Sequence, residues 1–128
     1  MRGLPQRHLA MLVTALLTLA ACDQGGDVGE ELLLVEGDLA SGRRILSRDG
    51  CGACHVIPGV PGARGRVGPP LRDLAQRAYV AGFLPNRPPS LIRWIRDAPS
   101  LDPKTAMPAF HLTEREARDV AAYLYRTD

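Results

Sequence analysis

Apolar residues run almost without a break from Leu9 to Ala20 and afterwards recur only in short sets at helical spacing. Leu39, Ile45 and Leu46 predict a helix from Asp38 to about Arg48, with Asp38 as its N-cap and Gly50 as its stop. Gly42 inside that helix lowers its propensity and points to another element approaching closely. Leu71, Leu74, Ala75 and Ala78 stand at i, i+3, i+4 and i+7 and predict an amphipathic helix; Leu91, Trp94 and Ile95 predict another short one. Thr113-Glu114-Arg115-Glu116 has the form of a capping box, followed at helical spacing by Ala117, Val120, Ala121 and Leu124, the best-defined helix in the chain. From Pro58 to Pro70, six further Gly or Pro residues (Gly59, Pro61, Gly62, Gly65, Gly68 and Pro69) predict a loop. No strand of period two stands out and there is no internal repeat. The fold expected is all-α, about four short helices joined by irregular loops.

The early apolar run has Arg2 and Arg7 before it, the form of a secretory signal, and is too short to span a bilayer as a stable helix. It ends Leu19-Ala20-Ala21-Cys22, which resembles the lipobox of bacterial lipoproteins, where the cysteine is acylated and cleavage falls just before it. An ordinary signal accounts for the small residues but not for Cys22. The expected organisation is a lipoprotein signal peptide over 1–21, the acylated Cys22 with an acidic tether over 22–36, and a folded domain over 37–128. Asp23, Asp27, Glu30, Glu31, Glu36 and Asp38 occur without a base among them, whereas 14 bases and 8 acids follow from Leu39 onward. Such a tether reaches on the order of 20 Å as a flexible coil. Its apolar break, Leu32-Leu33-Leu34-Val35, is expected to dock on the domain.

A length of 128 residues supports one small domain, and 45% apolar content is too high for a disordered chain. A catalytic domain with a large substrate pocket is disfavoured at this size. Two of the three cysteines stand in Cys51-Gly52-Ala53-Cys54-His55. C-x-x-C-H is the attachment sequence of c-type haem: two thiols on one turn reach the two vinyl groups of a porphyrin, and the next residue, His55, lies under the iron. A Cys51–Cys54 disulfide would close a very small ring and leave His55 unexplained. A thioredoxin-like pair needs a βαβ setting that the flanking pattern lacks. A zinc site drawing on Cys51, Cys54, His55 and His111 would take three ligands from five residues, two of them adjacent, which suits a tetrahedron poorly. One covalently bound haem c is the expected cofactor.

Met1 and Met11 leave with the signal, so Met107 is the only methionine of the mature chain. It sits in Ala106-Met107-Pro108-Ala109-Phe110, a loop stiffened by Pro108 and nearby Pro103, which suits holding a weak thioether ligand against iron. A lone Met otherwise fills core space, and His111 is the rival ligand.

Residues 37–128 resemble a class I monohaem cytochrome c, in particular the cytochrome c domain joined to subunit II of some bacterial haem-copper oxidases. Gly68-Pro69-Pro70-Leu71 is similar to the family's Gly-Pro-x-Leu, which implies that the Pro69 carbonyl accepts the Nδ1 proton of His55 and that Leu71 lies against the porphyrin. Arg77 and Trp94 match positions that bond the buried haem propionate in the family. The run Ala81 to Asn86, then Leu91, Trp94, Ile95, Arg96 and Asp97, is similar to the stretch before the Met loop, and Met107-Pro108 to the ligand motif. Gly42 and Tyr123 match the family's crossing of first and last helices. The chain departs from the pattern near Leu46, a position often aromatic, and in the Met loop Asp102 to Ala106, which lacks the usual Gly. No copper domain of a subunit II accompanies these motifs.

The resemblance implies a small cytochrome c fold around one haem and an electron carrier rather than an enzyme, since filled axial coordination blocks substrate. The expected reading is a lipid-anchored protein on the periplasmic side of a bacterial membrane, the inner one favoured. It would pass single electrons to redox protein partners in a respiratory chain, a cytochrome oxidase or a dehydrogenase, without nucleic acid or a small-molecule substrate. A fixed redox subunit of such a complex, or a haem-based ligand sensor if Met107 is displaced, are the alternatives. The basic balance of the domain suits docking onto an acidic partner.

Overall fold

The computed structural model describes residues 35–127. Along them run α1 (Leu39–Arg48), two 3-10 turns (Cys51–Ala53 and Leu74–Gln76), β1 (Tyr79–Val80), β2 (Leu84–Pro85), α2 (Pro88–Arg96), α3 (Ala98–Leu101) and α4 (Glu114–Arg126). The architecture is all-α, with one short antiparallel ribbon that pairs Tyr79 with Pro85 and Val80 with Leu84. No helix among the described residues is long and apolar enough to cross a membrane. Cys22 and Leu32 to Leu34 lie outside the described residues. Val35, the last residue of that apolar break, is buried in the core.

α1 begins where the Asp38 carboxylate accepts the Ser41 backbone N–H at 3.0 Å, a bond that holds the carboxyl below its usual range. It buries Gly42, Ile45 and Leu46 on one face. At the other end Gly50 takes a left-handed conformation (φ +70°), which turns the chain into the Cys51–Ala53 turn. α4 buries Ala117, Val120, Ala121 and Leu124, as its spacing predicts, together with Tyr123 and Tyr125. The α1–α4 crossing is the most extensive helix contact, and it is tight at Gly42, where a Cβ would lie 2.1 Å from the Asp119 carbonyl oxygen. The buried Asp119 carboxylate also accepts the Asp38 N–H at 2.9 Å, tying the start of α1 to α4.

The capping box of α4 is complete. Thr113 Oγ1 accepts the Glu116 N–H at 3.2 Å, and Glu116 Oε2 accepts the Thr113 N–H at 3.0 Å. The Thr113 bonds, backbone first, and then Arg48 hold the Glu116 carboxyl below its usual range. A carboxyl depressed in the folded state stabilises at neutral pH and loses that contribution as pH falls through its folded value. Thr113→Ala is therefore expected to cost about 1 kcal/mol at neutral pH. Glu116→Gln should flatten the acid side of the stability–pH curve; denaturant unfolding across the acid range checks both.

The helix predicted over Leu71 to Ala78 is corrected to the single 3-10 turn Leu74–Gln76. The Arg77 guanidinium accounts for the difference. It donates to the carbonyls of Pro70 (2.5 Å) and Arg72 (2.8 Å), the acceptors an α-helix would need for Leu74 and Gln76. Asp73 is also left-handed (φ +54°), and Arg77 itself is extended. The ribbon was not foreseen, because its connection sets Ala81 as well as Gly82 at positive φ and alanine carries no signal for that. α3 is likewise an addition, opened by Asp97, whose carboxylate accepts the Ser100 N–H at 3.3 Å.

Candidate functional site

The Cys51–Ala53 turn sits directly after α1, and the His55 N–H donates to the Cys51 carbonyl at 3.0 Å. This local winding brings Cys51, Cys54 and His55 to one wall of a cavity of about 710 Å³ inside the helical core. Cys51 and Cys54 are free, unpaired thiols, and burial pushes the Cys51 thiol up to about 11. Aliphatic side chains from three helices complete the interior, among them Ile45, Leu46, Leu91, Ile95, Val120 and Leu124. All eight residues expected at the cofactor line this one cavity: Cys51, Cys54, His55, Pro69, Leu71, Arg77, Trp94 and Met107.

His55 is held firmly. Its Nδ1 lies 2.7 Å from the Pro69 carbonyl oxygen. A carbonyl only accepts, so Nδ1 carries the proton and the ring lone pair is on Nε2, as an axial ligand requires. Gly68 packs flat on the imidazole: a Cβ there would come within 2.2 Å of His55 Cε1, so no larger residue fits without moving the ring. The loop is fixed by the Gly68 N–H on the Cys54 carbonyl and the Leu71 N–H on the Val56 carbonyl, both at 2.8 Å.

Further lining comes from the segments around α2 and α3. Trp94 projects from α2 and meets Phe83 of the ribbon edge to face, with ring centroids 6.0 Å apart. The Met107 N–H donates to Thr105 Oγ1 at 3.2 Å, and the Thr105 N–H to the Asp102 carbonyl at 3.0 Å, so the loop is locked by its own polar residues as well as by Pro103 and Pro108. His111 does not line the cavity. It is exposed, its backbone is left-handed, and its N–H is bound to the Arg96 carbonyl. No three His, Cys, Asp or Glu side chains among the described residues converge as ligands for a metal ion.

Reading the sequence missed Thr105, the ribbon residues Tyr79 to Gly82 that wall the cavity, and Asn86 as a structural centre. Gly82 was the one local signal for the ribbon.

The donor set fits haem c: two thiols spaced for vinyl groups, an imidazole with a free Nε2, a thioether, and a mostly apolar cavity of ligand-pocket size in which Arg77 is the one cation beside Asp49 and Asp102. Residues 39–128 match the family model "Cytochrome c". The chain is 33% identical over 84 residues to cytochrome c oxidase subunit 2 of Alkalihalophilus pseudofirmus, an alignment covering 65% of this chain and 24% of that protein. It is 31% identical over 87 residues to cytochrome c oxidase subunit 2 of Bacillus sp. strain PS3, with the same two shares. The chain thus spans about a quarter of the length of the curated relatives it matches. By the match over its whole helical domain, this chain belongs to the cytochrome c family, whose covalently bound haem serves electron transfer.

Proposed function

We propose that this protein is a membrane-anchored periplasmic cytochrome c that carries single electrons through one His/Met-ligated haem in a respiratory chain. The observation that carries the reading is the convergence of all eight expected residues on one cavity. Bound there, haem c supplies a one-electron ferrous/ferric couple. Cys51 and Cys54 would hold it by thioether bonds, His55 Nε2 and the Met107 sulfur would bind its iron, and the Pro69 carbonyl keeps His55 oriented and basic. Arg77 and Trp94 serve the propionate side, and Leu71 with the aliphatic walls excludes water. With His55 and Met107 both committed to the iron, the site would pass electrons and would not turn over a substrate.

The relatives are oxidase subunits, and the domain is basic from Leu39 onward. Both favour an acidic redox partner of the cytochrome oxidase kind, with a dehydrogenase as the other candidate. Protein matured with c-type haem machinery should keep its haem colour on a denaturing gel, whereas a Cys51→Ser, Cys54→Ser double variant should keep none. Equal retention in both would overturn covalent attachment at these cysteines. Cys22 supplies the lipid anchor, so Cys22→Ser is expected to move the cleaved protein from the membrane to the soluble fraction. Persistent membrane association of correctly cleaved Cys22→Ser would remove the anchor from the account.

A further inference from the structure

Asn86 is one of two buried polar residues in the described core, and every group on its side chain is engaged. Its Nδ2 donates to the carbonyls of Leu74 and Arg77, each at 2.7 Å. Its Oδ1 accepts the Tyr125 hydroxyl of α4 at 2.8 Å. Its backbone N–H donates to the Ala78 carbonyl at 3.0 Å. Asn86 thus grips both ends of the Leu74–Gln76 turn and bolts them to α4. Arg77, the residue at the end of that turn, reaches back along the cavity wall to the carbonyls of Pro70 and Arg72. Pro70 is bonded to Pro69, whose carbonyl holds His55. A continuous path of hydrogen bonds and short backbone links therefore runs from Tyr125 through Asn86, Arg77 and Pro70 to the His55 ring.

We infer that Asn86, steadied by Tyr125, is a positioning residue for the cofactor: it holds the Arg77 cation at the cavity and through it sets the reduction potential. This rests on the haem reading above. The physical reason is that a fixed cation in this mostly apolar cavity, whose lining also includes Asp49 and Asp102, disfavours the ferric state, whose extra positive charge it repels, and so raises the potential above its value without Arg77. Released from its clamp, Arg77 spends part of its time in water, where its field is screened. The burial that keeps Asn86 dry also pushes the Tyr125 phenol above its usual range, so Tyr125 remains a donor to Asn86. Propensity alone gives no reason for three backbone carbonyls of one short segment to converge on a single asparagine.

The test is a double-mutant cycle on the matured protein, read by redox titration. Arg77→Gln should lower the potential. Asn86→Ser should lower it by most of the same amount, and Asn86→Ser added to Arg77→Gln should lower it no further. Tyr125→Phe, which deletes one hydroxyl, should give a smaller fall that also vanishes in the Arg77→Gln background; it carries the test if Asn86→Ser does not mature. A parent-like potential in Asn86→Ser, or a fall of equal size with and without Arg77, overturns the proposal, because a purely structural Asn86 would weaken stability alike in both backgrounds. Exchange of the Arg77 guanidinium protons, followed by NMR, is an independent arm. It should quicken several-fold in Asn86→Ser, because the Arg77 backbone loses the Asn86 bond to its carbonyl and the guanidinium bonds to Pro70 and Arg72 loosen with it. Unchanged exchange would overturn the clamp itself. A parent protein without a haem spectrum would defeat the haem reading, leaving the exchange arm to decide the clamp.

Discussion

Met107→Ala lowers the reduction potential and opens the iron to carbon monoxide; this is the largest functional effect expected of any single substitution here. A thioether donates weakly and favours the ferrous state, and the axial set commands a span of roughly 0.8 V across haem proteins. Losing it to water or an external ligand should move the potential down by about a tenth of that span or more. Alanine removes the sulfur and leaves Pro103, Pro108 and the Thr105 side chain in place to keep the loop folded. Redox titration and carbon monoxide binding to the ferrous protein check it. The parent should bind carbon monoxide slowly and the variant at once. Fast binding in the parent would instead favour the ligand-sensor reading.

Gly42→Ala should unfold the domain at clearly lower denaturant, the largest stability loss expected from adding one methyl group. In an unobstructed helix the same change stabilises by about 1 kcal/mol through propensity. Here the new Cβ would lie 2.1 Å from the Asp119 carbonyl oxygen and 2.7 Å from its carbon, backbone atoms that yield only if α4 moves. Overpacking of this kind costs about 3 kcal/mol, leaving a net loss of about 2 kcal/mol after the propensity gain. The two contributions oppose each other, so the sign of the measured change is decisive. A more stable Gly42→Ala would mean that α1 and α4 do not cross closely at this residue. Because α1 leads directly into Cys51 and α4 lines the cavity with Val120 and Leu124, the variant should also mature with less haem.

The parts of this protein that could be read from the chain are those written in contiguous residues. Cys51 to His55 is one turn, Thr113 to Glu116 one cap, and the spacing of Ala117 to Leu124 one helix face, and all three fold as their local chemistry dictates. Gly42 was informative because a glycine inside an otherwise sound helix needs a reason, and the α1–α4 crossing supplies it. The segment from Leu71 to Ala78 failed because a side chain from its own far end competes for the helix carbonyls, which spacing does not register. The ribbon escaped because Ala81 occupies a backbone conformation that its residue type does not announce. At the site, Pro69, Arg77 and Trp94 were legible only through resemblance to a family, since nothing local links them to Cys51. Asn86 was part of a matching run, but its role depends on Tyr125, 39 positions away.

The most direct test of the central claim is the absorption spectrum of the oxidised protein after maturation with c-type haem machinery, followed by its reduced spectrum. A c-type reduced spectrum together with the weak far-red ferric band of sulfur ligation is the expected result, placing His55 and Met107 on one iron. A c-type spectrum lacking that band would contradict ligation by Met107, and the absence of any haem spectrum would contradict the account from Cys51 onward.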